Sequence, residues 1–208
     1  MSTFVPRTSL TREDLDANPV AQFQLWFQEA EAKSGLEYPN AMTLATVDPE
    51  GWPQARIVLL KGVEDGAFVF YTNRESAKGV ALAATPRAAL VFYWESLARQ
   101  VRVQGVVSTV TDPVSDGYFS SRPVGSRIGA WASAQSRPLE SRAVLESRFR
   151  ELEARYPDGQ IPRPPHWGGY RLEPRMVEFW QEGASRLHDR FQYRARADGQ
   201  WDVVRLNP

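Results

Sequence analysis

Cysteine is absent from the 208 residues, which removes disulfide frameworks, thiolate metal sites and cysteine nucleophiles together. Histidine occurs only as His166 and His188, so a multi-histidine zinc site is excluded and no metal is expected. No apolar run approaches the roughly 20 residues that span a bilayer. Residues 1–19 carry five charged side chains and no apolar run, unlike a signal peptide. The expectation is a soluble, cytoplasmic protein with no membrane partner. Surplus charge is missing too: 25 Lys and Arg balance 25 Asp and Glu, whereas a nucleic-acid partner calls for excess cation to displace counterions. No two glycines are separated by a single residue, so the Gly-x-Gly-x-x-Gly turn of dinucleotide folds does not occur. The Gly-x-x-x-x-Gly-Lys-Ser/Thr loop of nucleotide hydrolases is lacking as well. Gly125-Ser-Arg-Ile-Gly129 has the glycine spacing of a nucleophile elbow, but its serine stands one place too early.

What is present is aromatic: 7 Trp, 7 Tyr and 10 Phe spread along the chain, a composition of packed cores and not of disorder. At roughly 100–200 residues per domain, the length predicts one compact unit. Asn18-Pro19 reads as a helix start, with Asn as N-cap and Pro at the first helical position. Phe23, Trp26, Phe27 and Ala30 then recur on one helical face. Strands are predicted over 41–47, 54–60 and 67–72, separated by the turn residues Asp48-Pro-Glu-Gly51 and Glu64-Asp-Gly66, as an antiparallel meander. A short helix over 75–84 ends at Thr85-Pro86, and strands resume over 88–94 and 99–110. Helices over 112–119 and 140–156 precede a proline-rich loop over 157–165. Short strands over 170–172, 176–181, 190–196 and 201–206 complete the sheet. Tight turns between strands, with helices inserted, predict a mainly β (α+β) fold: an antiparallel barrel with flanking helices.

Four groups of residues carry chemistry. Arg56-Ile-Val-Leu-Leu-Lys61 puts cations at both ends of an apolar strand, with Arg56, Val58 and Leu60 on one face and Ile57, Leu59 and Lys61 on the other. This either grips an anionic ligand or leaves two surface charges at strand ends. Phe70-Tyr-Thr-Asn-Arg-Glu-Ser-Ala-Lys78 passes from strand through turn into helix, which sets Tyr71, Thr72 and Lys78 near a helix N-terminus suited to phosphate. Tyr118-Phe-Ser-Ser-Arg122 with Ser126, followed by Gln135-Ser136, offers a second anion site or marks the end of a helix at Arg122-Pro123. Glu178-Phe-Trp-Gln181 leads past Gly183 to Arg186-Leu-His-Asp-Arg190. Three cationic or titratable side chains in five residues beside an apolar strand are costly unless an anion or carboxylates compensate them.

These segments, together with Arg99-Gln-Val101, Ser121-Arg-Pro123, Ile128-Gly-Ala-Trp131 and Trp167-Gly-Gly-Tyr170, resemble the pyridoxine/pyridoxamine 5′-phosphate oxidase family in order from about residue 18 to the C-terminus. The resemblance implies an antiparallel split β-barrel, Greek-key-like, forming one domain over 19–208 behind a flexible segment over 1–18. It implies a homodimer holding two FMN molecules at the interface, and oxidation of pyridoxine 5′-phosphate and pyridoxamine 5′-phosphate to pyridoxal 5′-phosphate, with O2 as acceptor giving H2O2. Carried over by position, it puts Arg56, Ile57, Val58, Leu59, Leu60, Lys61, Tyr71, Thr72 and Lys78 around the flavin, with Gln100, Gln135, Ser136, Trp180 and Arg190 completing its site. Lys61, Tyr118, Arg122 and Ser126 take the substrate phosphate, and the catalytic pair Arg186 and His188 lies against the pyridine ring. Two positions depart from the family. Ala77 stands where an arginine usually precedes Lys78, and residues 2–10 lack the basic, tyrosine-containing character of the family's N-terminal lid. Two rival readings remain. A flavin reductase or another split-barrel flavin oxidoreductase shares the barrel but generally lacks Arg-Leu-His-Asp-Arg. A non-catalytic module binding pyridoxal phosphate or flavin keeps the phosphate clamps and loses ring-facing residues such as Arg186 and His188.

Overall fold

The structure is a computed structural model that describes residues 9–208; residues 2–8, part of the departing N-terminal segment, lie outside it. Helix α1 (Pro19–Lys33) begins where the Asn18 side chain accepts from Val20 N–H, and buries Phe23, Trp26 and Ala30. Strands β1 (Ala41–Val47) and β2 (Pro53–Leu59) form a hairpin whose turn closes with Gly51 in the left-handed region, at φ +90°. The chain then runs into β3 (Gly62–Glu64) and turns back through Asp65 and Gly66, both at positive φ, into β4 (Ala67–Asn73). Helix α2 (Ala77–Ala84) leads to β5 (Arg87–Trp94) and β6 (Arg99–Thr109). Three helices follow, α3 (Asp112–Ser121), α4 (Val124–Ala132) and α5 (Arg142–Arg155), and then β7 (Trp167–Gln181), β8 (Asp189–Ala195) and β9 (Trp201–Arg205).

The nine strands of the described residues join one antiparallel sheet in the order β2-β1-β5-β6-β7-β4-β3, with β8 and β9 continuing from the far half of β7. The sheet curls into a split barrel. Its inside is filled by Phe68, Phe92, Trp94 and Phe179, against which α1 drives Phe23 and Trp26 at ring separations of 4.8 to 6.2 Å. No helix among the described residues is long and apolar enough to cross a membrane.

Three predicted details differ. The first three strands do not form a simple meander: β4 pairs with β3 and β7, while β2 lies at the opposite end of the sheet order beside β1. The short β3 carries the chain across that gap, and the return from β4 to β5, beside β1, is Greek-key-like. Segments 170–172 and 176–181 belong to the single strand β7. Pro174, which cannot donate to a ladder, sits at the β-bulge opposite Gln104 and Gly105, where pairing passes from β4 to β8. Helix α4 was not foreseen, because Gly125 and Gly129 weaken its local signal; it forms by burying Ile128 and Ala132.

Within residues 1–18, the described part packs on the barrel. Leu10 and Leu15 are buried. The Leu10 N–H donates to Asp189 Oδ2 at 2.8 Å, and Tyr193 Oη donates to the Asp16 carbonyl at 2.8 Å.

Candidate active site

Strand β4 ends in a tight turn that builds the first part of the site. Asn73 Oδ1 accepts from Glu75 N–H at 2.7 Å, and the buried Ser76 hydroxyl donates to the Asn73 carbonyl at 2.7 Å while capping α2. Gly79 lets the helix approach the Arg74 carbonyl more closely than any Cβ would allow. This puts Lys78 in the first turn of α2, where Nζ donates to Gln135 Oε1 at 3.0 Å; Thr72 Oγ1 also donates to that oxygen, at 3.4 Å. Arg56 approaches from β2, its Nη1 donating to the Leu44 carbonyl at 3.1 Å and to Thr46 Oγ1 at 2.8 Å. Burial lowers the Lys78 pKa, and the nearby Arg56 charge lowers it further; burial alone lowers that of Arg56. Neither cation has a carboxylate partner among the described residues. A cation in the first turn of a helix, with a second approaching from β2 and no carboxylate on either, has the charge and donors that suit an anion.

The second part lies beside it. Tyr71 stacks on Tyr118 with ring centroids 4.0 Å apart and on Trp167 at 5.4 Å. Lys61 Nζ lies 5.9 Å from the Tyr118 ring centroid, and the Arg122 guanidinium 4.8 Å from that of Trp167. Burial lowers the Arg122 pKa, and Arg122 Nη1 is enclosed with no hydrogen-bond partner among the described residues. The Tyr71 hydroxyl is held in its neutral form by burial and then by the negative charge of Glu64. Tyr71, Thr72, Arg122, Ser126, Gln135 and Trp167 line one cavity of about 350 Å³. Ser136, at φ +69°, turns away and lines a neighbouring cavity with Ala77 and Arg137.

Along β2 and the two residues after it, Leu60 is buried, Val58 packs on the core, and Ile57 and Lys61 are exposed. Arg56 and Lys61 therefore frame an apolar strand with one free edge and one open face.

The remaining predicted residues form a separate group. Gln100 on β6, Trp180 on β7 and Arg190 on β8 sit side by side across three strands. Trp180 and His188 have ring centroids 4.7 Å apart, and His188 Nδ1 accepts from Gly183 N–H at 3.2 Å. Ser185 and Arg186 take positive φ, so the loop turns sharply and carries Arg186 on its outside. Arg190 donates to the buried Glu178 carboxylate, which Arg102 also reaches at 3.2 Å.

One chain does not bring these two groups together. Thr72 pairs with Gly168 at the start of β7, whereas Gln100 pairs with Trp180, twelve positions further along the same strand. At about 3.3 Å per residue that is roughly 40 Å of strand. Two supporting residues were not foreseen, Thr46 and Trp167. Thr46 has no local signal, since it meets Arg56 only through strand pairing. Trp167 carried one, an aromatic residue followed by two glycines.

Fold and site together define a split-barrel protein with an aromatic, cation-lined cleft. Two family profiles match the chain: pyridoxamine 5′-phosphate oxidase over residues 28–156, and the pyridoxine 5′-phosphate oxidase C-terminal dimerisation region over 167–208. The chain belongs to the pyridoxamine 5′-phosphate oxidase family. It is 56% identical over 200 residues to a pyridoxine/pyridoxamine 5′-phosphate oxidase of Cupriavidus necator, covering 96% of this chain and 93% of that one. It is 57% identical over 202 residues to the protein of the same name from Ralstonia pickettii, covering 97% and 94%. Among solved structures, PhzG of Burkholderia lata, in complex with tetrahydrophenazine-1-carboxylic acid, superposes with a TM-score of 0.89 at 29% identity, covering 96% of this chain and 98% of that one. An FMN-binding protein of Nostoc punctiforme shares the fold, with a TM-score of 0.72 at 19% identity over 89% of this chain and 97% of that one.

Proposed function

We propose that this protein oxidises pyridoxamine 5′-phosphate and pyridoxine 5′-phosphate to pyridoxal 5′-phosphate, with FMN as cofactor and dioxygen as electron acceptor. One observation carries the reading: neighbouring residues of β4 each lead to unneutralised cations. Thr72 connects through Gln135 to Lys78 and Arg56, while Tyr71 connects through Tyr118 and Trp167 to Lys61 and Arg122. A cleft with two such sets suits two phosphorylated aromatic molecules at once, a flavin and a pyridine.

FMN fits the first set. Lys78, Arg56, Thr72 and Gln135 offer charge and hydrogen bonds to its phosphate, and the strand over 56–61 offers an edge to its ring. When bound, FMN would supply two-electron redox chemistry at substrate C4′, with dioxygen as final acceptor and hydrogen peroxide as its product. The chain's own residues provide position. Lys61, Tyr118, Arg122 and Ser126 hold the substrate phosphate, a remote handle whose binding energy fixes C4′ for transfer. Arg186 covers and orients the pyridine ring, and His188, fixed through Nδ1, hydrogen-bonds to it. The alcohol becomes the aldehyde directly; the amine becomes an imine that water hydrolyses to aldehyde and ammonia.

Because the two groups of residues lie at opposite ends of β7, a complete site draws on two chains of a homodimer. One subunit supplies Arg56, Lys61, Lys78 and Arg122, and the partner subunit supplies Gln100, Trp180, Arg186, His188 and Arg190. The family's named dimerisation region, over 167–208, contains all but Gln100 of the second set.

The test is an anaerobic titration of the yellow protein with pyridoxamine 5′-phosphate. Flavin absorbance bleaches and recovers on admitting air. Unchanged absorbance with both phosphorylated vitamers would sink the reading. A second reading, oxidation of a tricyclic carboxylate, is favoured by the likeness to PhzG; bleaching by tetrahydrophenazine-1-carboxylic acid and by neither vitamer supports it instead.

A further inference from the structure

We infer that Trp167 is a positioning residue for the substrate phosphate, seating Arg122 without cancelling its charge. The inference rests on the reading that Arg122 takes that phosphate. Several partly buried arginines here are held by carboxylates: Arg163 by Asp112 and Asp116, Arg190 by Glu178, Arg99 by Glu29. Such a partner fixes the guanidinium but neutralises it. Arg122 has no carboxylate partner among the described residues. Its guanidinium instead lies against two aromatic rings, 4.8 Å from the centroid of Trp167 and 5.7 Å from that of Phe119. Nη1 is enclosed with no hydrogen-bond partner among the described residues. The negative face of an aromatic ring attracts a cation while leaving its net charge intact. A site built this way stays attractive to a dianion.

The residues around Trp167 belong to the same arrangement. Trp167 is buried, lies nearly parallel to both Tyr71 and Tyr118, at 12° and 5°, and receives the edge of Phe119 at 5.0 Å. It is thus in contact with residues of β4 and α3 and with Arg122 beyond the end of α3. Of the two glycines that follow, Gly169 clears space for this stack and Gly168 for the neighbouring Arg74. A Cβ at Gly169 would stand 2.6 Å from the Tyr71 ring, and one at Gly168 would meet the Arg74 guanidinium. Trp-Gly-Gly is the floor on which the phosphate-binding side chains rest.

The experiment uses the FMN-loaded enzyme and compares dissociation constants for pyridoxal 5′-phosphate and for pyridoxal, which lacks the phosphate. The ratio of the two reads the phosphate contact alone. Arg122→Ala is expected to shrink that ratio about tenfold or more, as loss of a charge-assisted contact does. Trp167→Leu is expected to shrink it severalfold with little change for pyridoxal, whereas Trp167→Phe, which keeps an aromatic face, retains most of it. The double variant Arg122→Ala/Trp167→Leu is expected to be no worse than Arg122→Ala, since both remove one contact. An unchanged ratio in Trp167→Leu, equal weakening of both ligands, or additive losses would overturn the inference while leaving the proposed function standing. An unchanged ratio in Arg122→Ala overturns the phosphate assignment itself. If Trp167→Leu does not fold, Trp167→Phe and Trp167→Tyr decide: rescue of the ratio by both supports the inference, and equal loss of both ligands opposes it.

Discussion

Lys78 and Gln135, 57 positions apart in sequence, meet at 3.0 Å, the lysine Nζ donating to the amide Oε1. An amide oxygen holds the ammonium in place but cannot neutralise it, so the charge remains free for an anion. Lys78→Ala is therefore expected to weaken FMN binding about tenfold to a hundredfold, the usual cost of losing a charge-assisted hydrogen bond. Arg186→Ala, on the exposed loop before β8, is expected to lower turnover far more than flavin content. Flavin-to-protein absorbance ratios and steady-state rates check both; equal flavin loss in the two variants would remove this division of roles.

The same lysine makes the flavin-free protein sensitive to alkaline pH. Burial, and then the charge of Arg56, lowers the Lys78 pKa in the folded chain, while the unfolded chain keeps the ordinary value of about 10.4. Below the lowered folded value the ammonium is charged in both states and its burial is a full cost. Between the folded and unfolded values the unfolded chain binds more protons, so stability rises with pH. Lys78→Met is thus expected to melt above the parent at neutral pH, with the gap closing as pH climbs toward 10.4. Thermal unfolding of the two apo-proteins across that range tests the sign.

Ala77 is exposed at the start of α2, beside a cavity of about 330 Å³ shared with Ser136 and Arg137. A guanidinium fits there. Ala77→Arg is expected to tighten FMN binding several-fold, to about tenfold, by adding a cation beside Lys78. Asp48, Glu50 and Glu75 line the same space and limit the gain. Flavin fluorescence quenching gives the constant, and an affinity no better than the parent's argues against a missing phosphate contact.

Gly169→Ala is expected to displace the Tyr71 ring, because the new methyl would lie 2.6 Å from it between two packed strands. A cost of about 1–3 kcal/mol in stability is typical of such overpacking. Urea unfolding reads the stability, and weaker binding of FMN and pyridoxal 5′-phosphate together reads the shift of Tyr71.

Much of the barrel was legible because its signals are local. Asn18-Pro19 with Phe23 and Trp26 marks α1, and the turn residues 48–51 mark the first hairpin. Strand order was not, since β4 chooses β7 over β2 through contacts made a hundred residues later. Nor was the unity of β7, where Pro174 looks like a terminator until the bulge beside it, opposite Gln104 and Gly105, accommodates it. The charged residues of the site stood out by type and spacing. Trp167 was marked only by the two glycines after it, and its part depends on Tyr71, Tyr118 and Arg122 arriving from separate elements.

The length of β7 has a genetic corollary. If each reaction centre borrows from two polypeptides, then two crippled proteins, one lacking Lys78 and the other lacking Arg186, can repair each other on mixing. A hybrid made from both carries one pocket with both defects and one with neither. Activity emerging from a blend of two dead preparations would be the signature of shared pockets, and a blend that stays inert despite subunit exchange would place each pocket within a single polypeptide.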